Sequence, residues 1–194
     1  MSDDLDAARA VSDLLHATEQ DPISLADELS ARRERRNDDG VARWRAWLAE
    51  HLDNTLALSD DELERRHDFI QWLFPLGSPS PFNRDAPVIG RHAMREAVSA
   101  EPALREALIR SWSRMLTFYG LEENDSGLRW LQGPAPWARS ITHNDRRLSR
   151  MLHCLHSAGL TNQAGMLMAF LEQQFAGDAR HAERLSWWRH QLLS

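Results

Sequence analysis

The chain has 194 residues, 42% of them hydrophobic, and a formal net charge of -6. A chain of that length can bury roughly 70% of the surface its unfolded state exposes, so one ordinary domain can form without covalent staples. A single cysteine, Cys154, excludes an internal disulfide framework and a zinc-cysteine site, and the acidic balance sets up no overall field for nucleic acid or an anionic membrane.

No stretch approaches the roughly 18 uninterrupted apolar residues that a membrane span needs. The N-terminus, "MSDDLDAARAV", is acidic where a secretory signal is basic. The expectation is a cytoplasmic chain with no membrane span. There is no lysine, and all 23 basic residues are arginine. GC-rich coding accounts for that bias without invoking a selected site.

In chain order, the periodicity is helical throughout, with no alternating run long enough for a strand. Residues 3–17 place Leu5, Ala8, Val11, Leu14 and Leu15 on one face. Ser24 and Asp27 resemble a capping box for a short helix that runs into "ARRERRNDDG", a charged stretch read as a linker or frayed end. A boundary near Asn37 then separates an N-terminal helical extension, residues 1–37, from a second unit over 38–194. Trp44, Leu48 and Leu52 mark the next helix. Ser59 and Glu62 form a capping box that opens a helix through "HDFIQWLF", residues 67–74, ended by Pro75. On a helical wheel Leu63, His67, Ile70 and Phe74 share one line, and the flanking aromatics make the segment apolar nearly all round, so it belongs in the core.

The prolines at 79, 81 and 87 predict a long loop over 75–90. A modest helix near 91–99 follows. A stronger one starts at Pro102 and closes at Gly120, with Leu104, Leu108, Met115 and Tyr119 on its period. Residues 121–140 read as a second long loop anchored by Trp130 and Trp137. Helices are then expected from about 144 to 158 and from Thr161 to near Gly177. A last one sets His181, Leu185, Trp188 and Leu192 on one seam. The predicted fold is all-α: a single multi-helix globular domain of about eight to nine helices, with Pro/Gly loops at 75–90 and 121–140.

Several of these segments together resemble a known family. "HDFIQWLFPL" is followed by Asn83 and Pro87, then "RMLTFYGL" at 114–121, "HNDRRLSRML" at 143–152 and "FLEQQF" at 170–175. This order and spacing is similar to the opioid growth factor receptor conserved domain, over about residues 40–190, and the chain reads as a stand-alone, bacterial-type member. Animal members are described as receptors for an opioid peptide that restrain cell proliferation and associate with the nucleus. The resemblance implies a non-enzymatic, receptor-like binding or regulatory domain with no catalytic residues and no cofactor. It singles out His67, Gln71 and Trp72 in the first motif, Tyr119 in the second, and His143, Asn144, Arg147 and Arg150 in the third, as candidate ligand-binding positions.

The residues themselves add a chemical expectation for the third motif. With Asn144 as N-cap, His143, Arg147 and Arg150 fall along one helical line while Leu148, Met151, Leu152 and Leu155 face the core. Two arginines beside a helix N-terminus suit a carboxylate or phosphate. Pairing with the acids of "SDDELE" at 59–64 is the structural alternative. The expected partner is a protein, a peptide or an anionic small molecule, and the alternative function is an enzyme or sensor acting on an anion in a His/Arg pocket. "HCLH" at 153–156 directs Cys154 away from its two histidines, so no metal site is expected. Of the pairs Trp44/Trp47 and Trp187/Trp188, one member each is expected in the core and the other at the surface.

Overall fold

The computed structural model describes residues 22–193, and the helix expected over 3–17 lies outside them. The chain divides into two compact units, Met1–Arg36 and Asn37–Ser194. The fold is all-α: eight α-helices among the described residues, with one two-stranded hairpin.

Helix α1, Pro22–Leu56, corrects the expectation of a linker near Asn37, because the charged run continues the helix without a break. Arginine, glutamate, asparagine and aspartate each cost no more than about 0.7 kcal/mol relative to alanine in a helix. No further proline falls between Pro22 and Leu56 to remove a backbone donor. The start also moves from Ser24 to Pro22, the first-turn position that proline favours. Gly40 is the one weak helix former in this stretch, and packing explains it. A Cβ there would lie 2.3 Å from the carbonyl oxygen of Val88, so the helix meets the loop backbone at a point where only glycine fits. Nearby, the Asn37 side chain accepts from the Gly90 amide at 2.9 Å. Trp44, fully buried, donates to the Trp72 carbonyl at 2.8 Å.

The helix expected from Ser59 to Phe74 is two pieces: α2, Asp60–Arg65, and α3, Ile70–Leu73. The Ser59/Glu62 capping box forms as expected. The break spans Arg66–Phe69, so His67 does not share a helical line with Leu63 and Ile70. The segment is nevertheless core: Leu63, Phe69, Ile70, Leu73 and Phe74 are all buried. The loop that follows is stitched by a bridge between Leu76 and Val88 and by another between Ser80 and Asn83.

Helix α4, Arg91–Ala100, leads directly into α5, Pro102–Phe118, with proline in its first turn as expected. Gly120, at φ 69°, turns the chain out of α5. Residues 121–140 are more ordered than a loop. Strand β1, Leu121–Asn124, pairs antiparallel with β2, Gly127–Trp130, and a 3-10 turn occupies Pro136–Arg139. The hairpin forms because "NDSG" supplies turn residues, with Gly127 at φ 120°. Its apolar positions are covered: Leu121 is buried, and the Trp130 ring packs edge-on against Phe170 at 5.1 Å.

Helices α6, His143–Ser157, α7, Thr161–Phe175, and α8, Ala182–Leu193, pack on one another. Leu148, Met151, Leu152 and Leu155 face the core from α6, as their spacing predicts. One charged pair sits inside this packing. Arg184 and Asp145 are 0% and 1% exposed, with Nε donating to Oδ1 at 2.6 Å. Arg184 also donates to the carbonyls of Ala138 and Trp137, and Trp188 donates to the Asp145 carbonyl. A buried pair is tolerable when further hydrogen bonds satisfy the guanidinium, as these do. It ties α8 to α6 and to the end of the 121–140 segment.

Candidate functional site

The site starts from the broken helix. Ending α2 at Arg65 frees carbonyl oxygens that a continued helix would have bonded internally. Arg147 reaches across from α6 to take them: its Nη2 donates to the carbonyls of Arg66 at 2.6 Å and Leu63 at 3.2 Å. Its Nη1 donates to Glu64 Oε2 and to Asn144 Oδ1, each at 3.2 Å. The rings of Phe69 and Phe118 lie 5.3 and 5.7 Å from the guanidinium carbon. A cation at a helix C-terminus with a carboxylate beside it is well placed electrostatically, and Arg147 is 4% exposed. Its hydrogen-bonding capacity is largely taken by the fold.

Arg147 also borders His67, its Nη2 lying 3.4 Å from His67 Nδ1. His143 meets His67 edge-on at 5.3 Å, and its Nε2 lies 3.1 Å from Glu64 Oε1.

In front of this cluster a cavity of about 980 Å³ opens among the α2–α3 segment, the proline loop, α6 and α8. Its basic residues are Arg146, Arg147, Arg150, His67, His143 and His190, and among the described residues no aspartate or glutamate lines it. Arg150 differs from Arg147. It is partly buried, its one hydrogen bond runs from Nη1 to the Phe74 carbonyl at 3.1 Å, and among the described residues no carboxylate lies in ion-pair reach. Burial pushes its pKa below the usual arginine value. Gln71 is 4% exposed and its Nε2 donates to Ser80 Oγ at 3.5 Å, while its Oε1 has no hydrogen-bond partner. Phe82 and Trp187, 65% and 41% exposed, bring aromatic surface to the same cavity.

Of the eight residues singled out from sequence, the cavity gathers five: His67, Gln71, His143, Arg147 and Arg150. Three stand elsewhere. Trp72 stacks on Trp47 with centroids 5.2 Å apart. Tyr119 is fully buried against Trp137, its hydroxyl without a partner, and burial raises its pKa above the usual phenol range. Asn144 is 5% exposed and supports Arg147 from behind. It is also not the N-cap of α6: Thr142 is, in a capping box with Asp145 that "THND" spells out.

Sequence reasoning passed over Arg146, Phe82 and His190. Arg146 had a usable signal, since it falls three residues after His143 and four before Arg150 on one helix face. Phe82 and His190 had none, because only the folding of the loop and of α8 brings them here. Cys154, from the "HCLH" run, is buried and its thiol is pushed up to about 12 by burial. Among the described residues no group of three or more His, Cys, Asp or Glu is arranged to hold a metal.

Comparison with known proteins identifies the chain's relatives. The family model of the opioid growth factor receptor (OGFr) conserved region matches residues 46–188. The rat opioid growth factor receptor is 34% identical over 120 residues, covering 58% of this chain and 20% of that protein. The human opioid growth factor receptor is 32% identical over 120 residues, covering 58% and 17%. Opioid growth factor receptor-like protein 1 of Xenopus tropicalis is 26% identical over 124 residues, covering 61% and 24%. The chain thus spans a quarter or less of the length of these curated relatives. No solved structure matches.

Proposed function

The chain belongs to the opioid growth factor receptor conserved-region family, and we propose that it is a non-enzymatic binding domain whose ligand enters the His/Arg cavity through an anionic group. One observation carries this reading. Arg150 is a partly buried guanidinium with one backbone hydrogen bond and no carboxylate partner among the described residues, in a cavity wall without acids. A guanidinium has five N–H donors, and a charge withdrawn from water without a counter-ion is unfavourable. An anion supplied from outside resolves both deficits. The relatives' name supports a receptor role, and an opioid peptide, whose C-terminus is a carboxylate, is one ligand compatible with the cavity.

Thermal melting of the chain against acetate, phosphate, short acidic peptides and an opioid peptide tests the reading. A ligand at 100 times its Kd stabilises by about 2.7 kcal/mol. Stabilisation by an anion that Arg150→Gln abolishes is the expected result. Stabilisation that survives Arg150→Gln would place the ligand elsewhere.

A further inference from the structure

We infer that the cavity is built for an aromatic monocarboxylate carrying a hydrogen-bond donor on its ring, an inference that rests on the anion-binding reading above. Three features of the wall each specify one part of such a molecule.

The charge comes first. Of the three arginines, Arg147 is occupied by Glu64, Asn144 and two carbonyls, and Arg146 is exposed with its guanidinium carbon 5.9 Å from the Phe82 ring centroid. Arg150 is left as the partly buried guanidinium of the three with no acid beside it among the described residues. A planar fork of donors matches one planar carboxylate, bound through two parallel hydrogen bonds. A phosphate dianion would leave its second charge to exposed Arg146 and to histidines that carry charge only when protonated.

The donor follows from Gln71. Its Oε1 is a sealed acceptor with no partner among the described residues, on a side chain that is 4% exposed and lines the cavity, and rotation of the amide about its soft last torsion is what presents it to a ligand. A buried acceptor left unmade is costly, so the complementary ligand brings an N–H or O–H. The ring follows from Phe82 and Trp187. The loop and α8 each contribute one aromatic side chain that water wets, with Ile70 and Leu76 lining the same space. Aromatic surface of this kind is covered best by a flat apolar body that stacks on it. A volume of about 980 Å³ is ample for a bicyclic ring.

Indole-3-acetate combines the three parts and serves as probe, titrated calorimetrically into the full chain. Tryptophol lacks the carboxylate, naphthalene-1-acetate lacks the donor, acetate lacks the ring, and phenyl phosphate replaces the carboxylate. We expect one indole-3-acetate per chain, with each of these other probes about tenfold or more weaker. Arg150→Gln should weaken indole-3-acetate by about 10- to 100-fold, the range for hydrogen bonds to a charged group. Arg150→Lys, which keeps the charge and loses the fork, should recover part of that loss and also decides the matter if Arg150→Gln does not fold. Gln71→Leu should erase the preference for indole-3-acetate over naphthalene-1-acetate. Binding of indole-3-acetate no tighter than acetate, or tighter binding of phenyl phosphate, overturns the inference while any Arg150-dependent anion binding leaves the broader reading standing. Absence of Arg150-dependent binding by every anion overturns both.

Discussion

Arg147 and Arg150, three residues apart on α6, show how unlike two neighbouring arginines become once folded. Arg147 holds the carbonyls of Leu63 and Arg66 and is nearly inaccessible, whereas Arg150 has one backbone partner and borders the cavity. Arg147→Gln should therefore destabilise the chain by about 2 to 4 kcal/mol, because it strands two carbonyls and removes the counter-charge of Glu64. Arg150→Gln should leave stability almost unchanged or raise it slightly, since it removes a charge held without an acid partner. Urea titrations of the two variants at neutral pH check the contrast, and equal losses would show that Arg150 is also structural. His153 gives a second expectation. Its pKa is lowered, first by burial and then by Arg91, Arg150 and His190, against the opposing hydrogen bond with Gln191. Because the folded value lies below the unfolded value of about 6.5, the unfolded chain binds the proton more readily. The stabilisation is complete above about pH 6.5 and is lost as pH falls through that value toward the lower folded one. Urea midpoints at pH 7.5 and 5.5 should differ, and His153→Gln should narrow the gap.

Among the elements, α1 and the 75–90 loop are fitted to each other at a single point. Gly40 faces the Val88 carbonyl with no room for a methyl, and both partners there are backbone. Gly40→Ala would improve helix propensity by about 1 kcal/mol in isolation. In the folded chain it should instead destabilise, by about 1 to 3 kcal/mol, because the added carbon forces the loop and helix apart. A rise in melting temperature for Gly40→Ala would show that the contact yields easily. The break between α2 and α3 is a related case, in which a local helix preference gives way to Arg147, an element 80 residues on. The wall of the cavity depends on that break, because it leaves His67 outside the helix and beside Arg147.

At the scale of the whole molecule, the core cluster and the cavity seen among the described residues belong to the unit Asn37–Ser194. We therefore expect that deleting residues 1–36 leaves a chain that melts cooperatively and binds anions as the intact one does. Circular dichroism melting and the acetate and indole-3-acetate titrations provide the check, and a loss of cooperativity would show that the first unit completes the core. The compactness of the second unit rests on the packing of α6, α7 and α8 and on the Arg184–Asp145 pair that joins them to the 121–140 segment.

Local chemistry alone determined that the chain is helical, where most helices begin and end, and which residues enter the core. Capping boxes, prolines and C-terminal glycines act within a turn of themselves, and apolar spacing needs only the helical period to be read. The Ser59 cap, the Pro102 start and the glycine exits at 120 and 159 formed for that reason. The same rules foresaw that His143, Arg147 and Arg150 share a face, since one helix carries all three. They did not foresee that α2 ends at Arg65, that the charged run after Ala31 stays helical, or that "LEENDSGLRW" folds into a hairpin. In the first of these a distant partner outweighs local preference, in the second nothing local is strong enough to stop a helix, and in the third the strands are too short to betray a period. Which arginine is satisfied and which is left unpaired was decided only by tertiary structure, because that depends on the acid or carbonyl that other elements bring to within about 3 Å of each guanidinium.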